Sequence, residues 1–168
     1  MSAPSNLLNK LCHDLPVGKL DWIGLRSEHK GEVLDVNEAR ALEGLGLQGD
    51  HRCDKTPGSA RQVTLISREF IAQIEAHLGR GAIAPALLRR NLVISGINLH
   101  LLRYQKIQIG DAVLEASALC HPCSRMNAAL GEGGAAAMYG AGGLCAKILR
   151  GGTLRVGDPV RCLVSVDG

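Results

Sequence analysis

The residues of this sequence best suited to chemistry are two cysteines three positions apart, in Cys120-His121-Pro122-Cys123. A cysteine thiolate is a nucleophile, a ligand for soft metals and a carrier of sulfur. The spacing alone admits three uses. As half of a tetrahedral zinc site it needs two more ligands, which His51 and Cys53 offer as His-x-Cys. As a redox dithiol it should open a helix in a βαβ setting. As plain packing, both thiols are small buried apolar groups. Cys123 has the more activating neighbours of the two. Pro122 breaks the strand before it, and Ser124-Arg125-Met126 reads as a helix start, so a helix terminus and an arginine both favour a thiolate.

The elements that must position these residues are mostly strands. Residues 1–16 read as a loose or weakly helical lead-in closed by Pro16, and residues 17–168 as one domain. Within that domain, Lys19–Arg26, Glu32–Val36, Gln62–Ile66, Asn91–Ser95, Ile107–Ile109, Ala112–Ala116, Thr153–Val156 and Pro159–Val164 alternate or are β-branched, as strands are. Leu144–Leu149 suits either a helix end or a strand. One helix stands out. Ser67 is its N-cap, Glu69 lies in its first turn, Phe70, Ile71, Ile74 and Leu78 form its apolar stripe, and Gly79 ends it. A shorter helix is expected at Pro85, and the Gly/Ala-rich stretch 131–143 is expected as a loop or a small-residue helix. Many short strands with few helices predict a mainly β fold, a β-barrel with a few inserted helices, rather than repeated βαβ units.

Composition narrows the function further. Aromatic residues are 2% of the chain, which leaves no set of stacking platforms for single-stranded nucleic acid. The net charge of +3 is dispersed, without a duplex-binding stripe. No nucleic-acid partner is expected, and no membrane partner, since no apolar run is long enough to span a bilayer. No signal peptide is read at the N-terminus, so the expected location is the cytoplasm, where the six cysteines stay reduced.

An ordered series of segments adds to this reading: Gly46-Leu47-Gln48-Gly49-Asp50-His51-Arg52, Arg61–Ile66, Arg89–Gly96, Ile109–Glu115, Cys120–Cys123, Gly142-Gly143 to Lys147, and Gly151–Val160. Together they resemble the MOSC domain, the module named after the C-terminal part of molybdenum cofactor sulfurases. The resemblance implies a β-barrel with a pocket for molybdenum cofactor (molybdopterin), or for sulfur handling linked to it. It implies Cys123 as molybdenum ligand or persulfide carrier, with Cys120 as a supporting neighbour.

The cofactor's phosphate calls for cationic side chains and backbone N–H groups. Arg61, Arg89, Arg90 and Lys147 are the candidates, with the glycine-rich segment holding Gly142 and Gly143. His51 is expected to orient a metal oxo group or move a proton, or else to cap a turn. Asn91 is expected to bond the pterin, or else the local backbone. Adjacent on a regular element, Arg89 and Arg90 face opposite ways, which leaves one in solvent. The implied activity is reduction of N-hydroxylated small molecules such as hydroxylaminopurines or amidoximes. The chain reads as a stand-alone domain with neither an iron–sulfur module nor a pyridoxal-phosphate-type sulfurase domain, so an external electron donor is expected. The other implied role is a sulfur carrier fed by a sulfur donor protein, or a cofactor-delivery module.

Overall fold

Strand formation starts at β1 (Gly18–Leu25), whose alternation is broken once. A register shift between Leu20 and Trp22 turns both Leu20 and Ile23 into the core although they are three residues apart. The computed structural model describes residues 3–164, so positions 165–168 of the expected domain lie outside the described residues. Ten more strands follow: β2 (Leu34–Val36), β3 (Glu38–Leu42), β4 (Gly46–Leu47), β5 (Val63–Ser67), β6 (Leu92–Ser95), β7 (Lys106–Ile109), β8 (Ala112–Leu119), β9 (Leu144–Arg150), β10 (Gly152–Arg155) and β11 (Pro159–Leu163). The helices are α1 (Ala3–His13), α2 (Arg68–Leu78), α3 (Arg125–Leu130) and α4 (Gly134–Met138).

Seven strands close into a barrel in the order β1-β11-β7-β8-β9-β5-β6 and back to β1, with β2 added to β1. β1 can serve three neighbours because it divides its length among them. Its start pairs with β11, its middle with β6 and its end with β2. Strands β3, β4 and β10 make a second, three-stranded sheet. The expected mainly β barrel with inserted helices is the fold observed.

One pairing departs from the antiparallel rule. β5 and β6 run parallel, joined by the crossover through α2. A parallel pair needs such a connection, and α2 supplies it. Its ends are built as the sequence predicts: Ser67 Oγ accepts from the Phe70 N–H, and Gly79 stops the helix in the left-handed region. Phe70, Ile71 and Ile74 are buried against the barrel.

The ambiguous Leu144–Leu149 stretch is a strand, β9, and the Gly/Ala-rich stretch holds the short α4. Strands β3 and β4 are additional to those read from sequence. The lead-in carries α1, which docks through Cys12: its Sγ lies 3.3 Å from the Leu101 carbonyl.

Candidate functional site: an arginine-lined cavity beside Cys123

The site starts from a buried carboxylate at a glycine corner. Asp50 follows Gly49 and caps the 3-10 turn His51–Asp54, its Oδ1 accepting from the Arg52 N–H at 3.0 Å. Its Oδ2 accepts from the Arg26 N–H at 3.0 Å and from Asn91 Nδ2 at 2.9 Å. Asn91 is held from every side. Nδ2 also donates to the Gly24 carbonyl, and Oδ1 accepts from the Thr64 N–H. Three separate segments, the end of β1, the 50–52 turn and the start of β6, are thus locked in register by two buried side chains. The Asn91 amide, a candidate for pterin contact, makes these bonds within the protein frame.

That frame aims arginines at one place. Arg26, Arg52, Arg61, Arg89, Arg90 and Arg125 all line a cavity of about 300 Å³. Its remaining wall is the segment Cys120–Cys123 with Met126. The two adjacent arginines, expected to diverge, both reach it. Arg89 takes a left-handed backbone (φ 58°), which breaks the regular alternation. Arg90 is buried and acts as a clamp. It donates from Nε to the Gly142 carbonyl at 2.8 Å, from Nη1 to Leu88 at 3.0 Å and from Nη2 to Cys120 at 3.4 Å.

Gly142 and Gly143 act through close packing. Gly143 has φ 93°, and a Cβ there would run into the Leu65 carbonyl. Lys147 lies on β9 opposite Glu115 and is not part of the cavity wall.

The positive charge that accumulates here is offset in part by the buried Asp50 carboxylate. Burial, followed by the nearby guanidiniums of Arg89 and Arg52, pulls the Arg26 pKa down. Burial and then Arg61 do the same to Arg52. Arg26 Nε, Arg89 Nη2 and His51 Nδ1 are buried with no hydrogen-bond partner among the described residues. Buried donors left unbonded are costly, and Arg26 and Arg89, both on the cavity wall, suit an anion carrying several acceptor oxygens.

His51 is buried behind this wall. Its Nε2 lies 3.4 Å from Arg26 Nη2, so the ring accepts there and the neutral tautomer carries its proton on Nδ1. Nδ1 is 3.3 Å from Asp50 Oδ1 but not aligned for a hydrogen bond. Burial, and after it the Arg26 charge, lowers the His51 pKa.

The two cysteines of Cys120-His121-Pro122-Cys123 part company in space. Cys123 is exposed at the cavity wall and Cys120 is buried. The neighbour of Cys120 is Cys145 on β9, which no local sequence pattern marks. One Arg61 guanidinium faces both, with Nε 3.3 Å from Cys145 Sγ and Nη2 3.9 Å from Cys120 Sγ. The Cys145 pKa is pushed down, first by a hydrogen bond from the Cys120 thiol and then, against the effect of burial, by Arg61. Cys120 moves the opposite way, raised by the same shared proton and by burial. Arg61 itself is held by its neighbour: Gln62 bonds back to the Ser59 carbonyl and accepts from the Ile148 N–H. Cys53 bonds the Leu47 carbonyl, and among the described residues no three His, Cys, Asp or Glu side chains converge as a metal cage. A second hollow of about 360 Å³ shares Cys120, His121 and Pro122 with the cavity and is lined by Tyr104 and Tyr139, both of the chain's tyrosines.

Arg26, Arg52 and Arg125 were not candidates from sequence. Arg52 lies in the Gly49-Asp50-His51 segment and Arg125 beside Cys123, so position offered a hint for both. Arg26, at the end of β1, carried no local signal.

The family model of the MOSC domain matches residues 48–161, and the chain belongs to the MOSC family, a family tied to molybdenum cofactor. Solved structures share the fold. The YuaD protein of Bacillus subtilis superposes with a TM-score of 0.73 at 18% identity, over 87% of this chain and 95% of that one. YiiM of Escherichia coli gives 0.66 at 19% identity, over 89% and 72%. YiiM of Geobacillus stearothermophilus gives 0.69 at 15% identity, over 88% and 75%. No curated protein matches the chain in sequence. Among the described residues, no helix is long and apolar enough to cross a membrane.

Proposed function

We propose that this protein binds molybdenum cofactor in the arginine-lined cavity, with Cys123 as the protein ligand to the metal, and reduces N-hydroxylated small molecules. The observation that carries the reading is the meeting of six guanidinium groups, two of them (Arg26 and Arg89) with an unbonded buried nitrogen, and an exposed cysteine around one cavity. The donor set fits the group. A pterin phosphate is a dianion that arginines bind by paired N–H bonds, and a thiolate is the soft ligand molybdenum takes.

Arg26, Arg52, Arg89 and Arg125 are the groups that would hold the phosphate. When bound, the cofactor supplies two-electron oxygen-atom chemistry. The chain's own residues do the rest. Arg90 fixes the Cys120 and Gly142 backbone that carries the ligand segment. Neutral His51 keeps Arg26 in place through Nε2. The second hollow, apolar and flanked by Tyr104 and Tyr139, receives the organic body of the substrate. An electron-donor protein outside this chain completes the cycle.

The test is metal and pterin analysis of protein made in a host that produces the cofactor, with wild type and Cys123→Ser side by side. Loss of molybdenum from the variant, with the fold intact, supports the reading. Full metal content and full N-hydroxy reduction in Cys123→Ser would sink it.

The exposure of Cys123 also suits a second reading, a sulfur carrier holding a persulfide supplied by a sulfur donor protein. Intact mass of freshly isolated protein separates the two. An added sulfur on Cys123 without pterin or metal favours the carrier.

A further inference from the structure

Cys120 and Cys145 are brought together by strand register. Ala118 pairs with Cys145 and Leu119 with Leu144, and the Cys120 N–H donates to the Gly143 carbonyl at 2.8 Å. Cys120 therefore extends the β8–β9 ladder by one residue. Side chains alternate along a strand, so Cys120 shares the face of Ala118, and hence that of Cys145, as its diagonal neighbour. The Nε–H and Nη2–H of a guanidinium point in parallel, and this fork spans the two sulfurs as it would span a carboxylate. Both cysteines are buried and neither is in a disulfide. Cys120 nevertheless forms part of the cavity wall, so the pair meets the cavity through that member.

We propose that Cys120 and Cys145 are a redox-active dithiol that hydrogen peroxide closes to a disulfide, and that closure releases Arg61 into the cavity as an additional anion-binding group. The site is distinct from Cys123 and does not depend on which ligand fills the cavity.

The chemistry balances in two steps. The Cys145 thiolate attacks one peroxide oxygen, the O–O bond breaks, and the departing hydroxide takes a proton to leave as water. Cys145 is now a sulfenic acid. Cys120 then gives up its proton and attacks the Cys145 sulfur. The S–O bond breaks, and the second hydroxide leaves with that proton as water. Two thiols lose two electrons, and one peroxide becomes two waters.

The consequence for Arg61 follows from its present partner. A thiolate at Cys145 accepts from its Nε and offsets its charge. A disulfide carries no charge and accepts weakly, so the guanidinium regains a full unpaired charge at the cavity wall. Anion affinity should rise by about fivefold, the scale of one partly exposed charge pair.

The experiment uses the full chain, reduced and then treated with equimolar hydrogen peroxide, digested without reductant and analysed by mass spectrometry. A Cys120–Cys145 cross-linked peptide, reversed by dithiothreitol and formed equally in Cys123→Ser, is the expected result. A Cys120–Cys123 link, or oxidation confined to Cys123 with Cys120 and Cys145 still alkylated after denaturation, overturns the assignment. Calorimetric titration of inorganic pyrophosphate into reduced and oxidised protein reads the second half. Tighter binding by the oxidised form supports the release of Arg61. A disulfide formed without a change in affinity overturns that coupling. Neither readout involves molybdenum, so its failure is separate from failure of the reading above.

Discussion

Asn91 donates from Nδ2 to Asp50 Oδ2 across 2.9 Å, tying the start of β6 to the glycine corner that precedes the 51–54 turn. Both residues are buried, and Asp50 also holds the Arg26 and Arg52 amides. Removing the carboxylate leaves three donors unmatched. Asp50→Ala should lower stability by about 3 kcal/mol, since each bond to a charged acceptor contributes about 1.5–3 kcal/mol before relaxation. Urea denaturation of variant and wild type measures this. The same variant should bind pyrophosphate more weakly, because Arg26 and Arg52 lose their backbone anchor.

A different cost attaches to the Arg90 clamp. Lysine keeps the charge but cannot reach the Leu88, Gly142 and Cys120 carbonyls at once. Arg90→Lys should cost about 2 kcal/mol in urea melts, from buried carbonyls left unbonded. Cys123→Ser, at an exposed position, should stay within about 0.5 kcal/mol of wild type. A Cys123→Ser variant that unfolds as readily as Arg90→Lys would contradict the exposed placement of that thiol.

The sequence was most legible where one residue type does a local job. Ser67, Glu69 and Gly79 mark α2 because capping is a contact within a few residues. Glu38-Ala39-Arg40-Ala41-Leu42 alternates only through alanines, so β3 carried little contrast, and Gly46-Leu47 is too short to show a period. Leu144–Arg150 reads either way because its first three residues are buried together. In the site, Cys123, Arg61 and Arg90 could be found from their segments. Cys145 could not, because its significance depends on pairing with β8, and neither could Arg26, whose neighbours come from turns at 50–52 and 89. The bonds that Asn91 makes to Gly24, Asp50 and Thr64 are tertiary contacts that no local pattern announces.

Acid should weaken the fold through His51. Its pKa in the folded protein lies below the ordinary 6.5, so just below that pH the unfolded chain takes up a proton that the folded chain refuses. The stabilisation is complete above pH 6.5 and is lost as pH falls toward the folded-state value. Wild type should therefore lose more of its urea midpoint between pH 7 and pH 5 than His51→Gln, which cannot titrate. Parallel slopes for the two proteins would show that His51 is not the group responsible.

Gly143 is irreplaceable for a backbone reason. At φ 93° with the Leu65 carbonyl where a Cβ would sit, alanine adds both left-handed strain and a clash. Gly143→Ala should destabilise by about 2–5 kcal/mol, and thermal melting of the purified variant checks it. Because the Gly143 carbonyl receives the Cys120 N–H, the same change should also disturb the spacing of Cys120 and Cys145.

The seam between β1 and β11 sets a schedule for biosynthesis. Gly18 pairs with Val160, so the ring joins residues made early to residues made late. Until Val160 has left the ribosome, β1 and β7 each expose an edge with unpaired backbone groups. Local pieces, the α2 crossover and the β7–β8 hairpin, can form during elongation, but the ring cannot close. Closure is thus a late event, and the nascent chain is most open to wrong pairing in the interval before its last strand arrives.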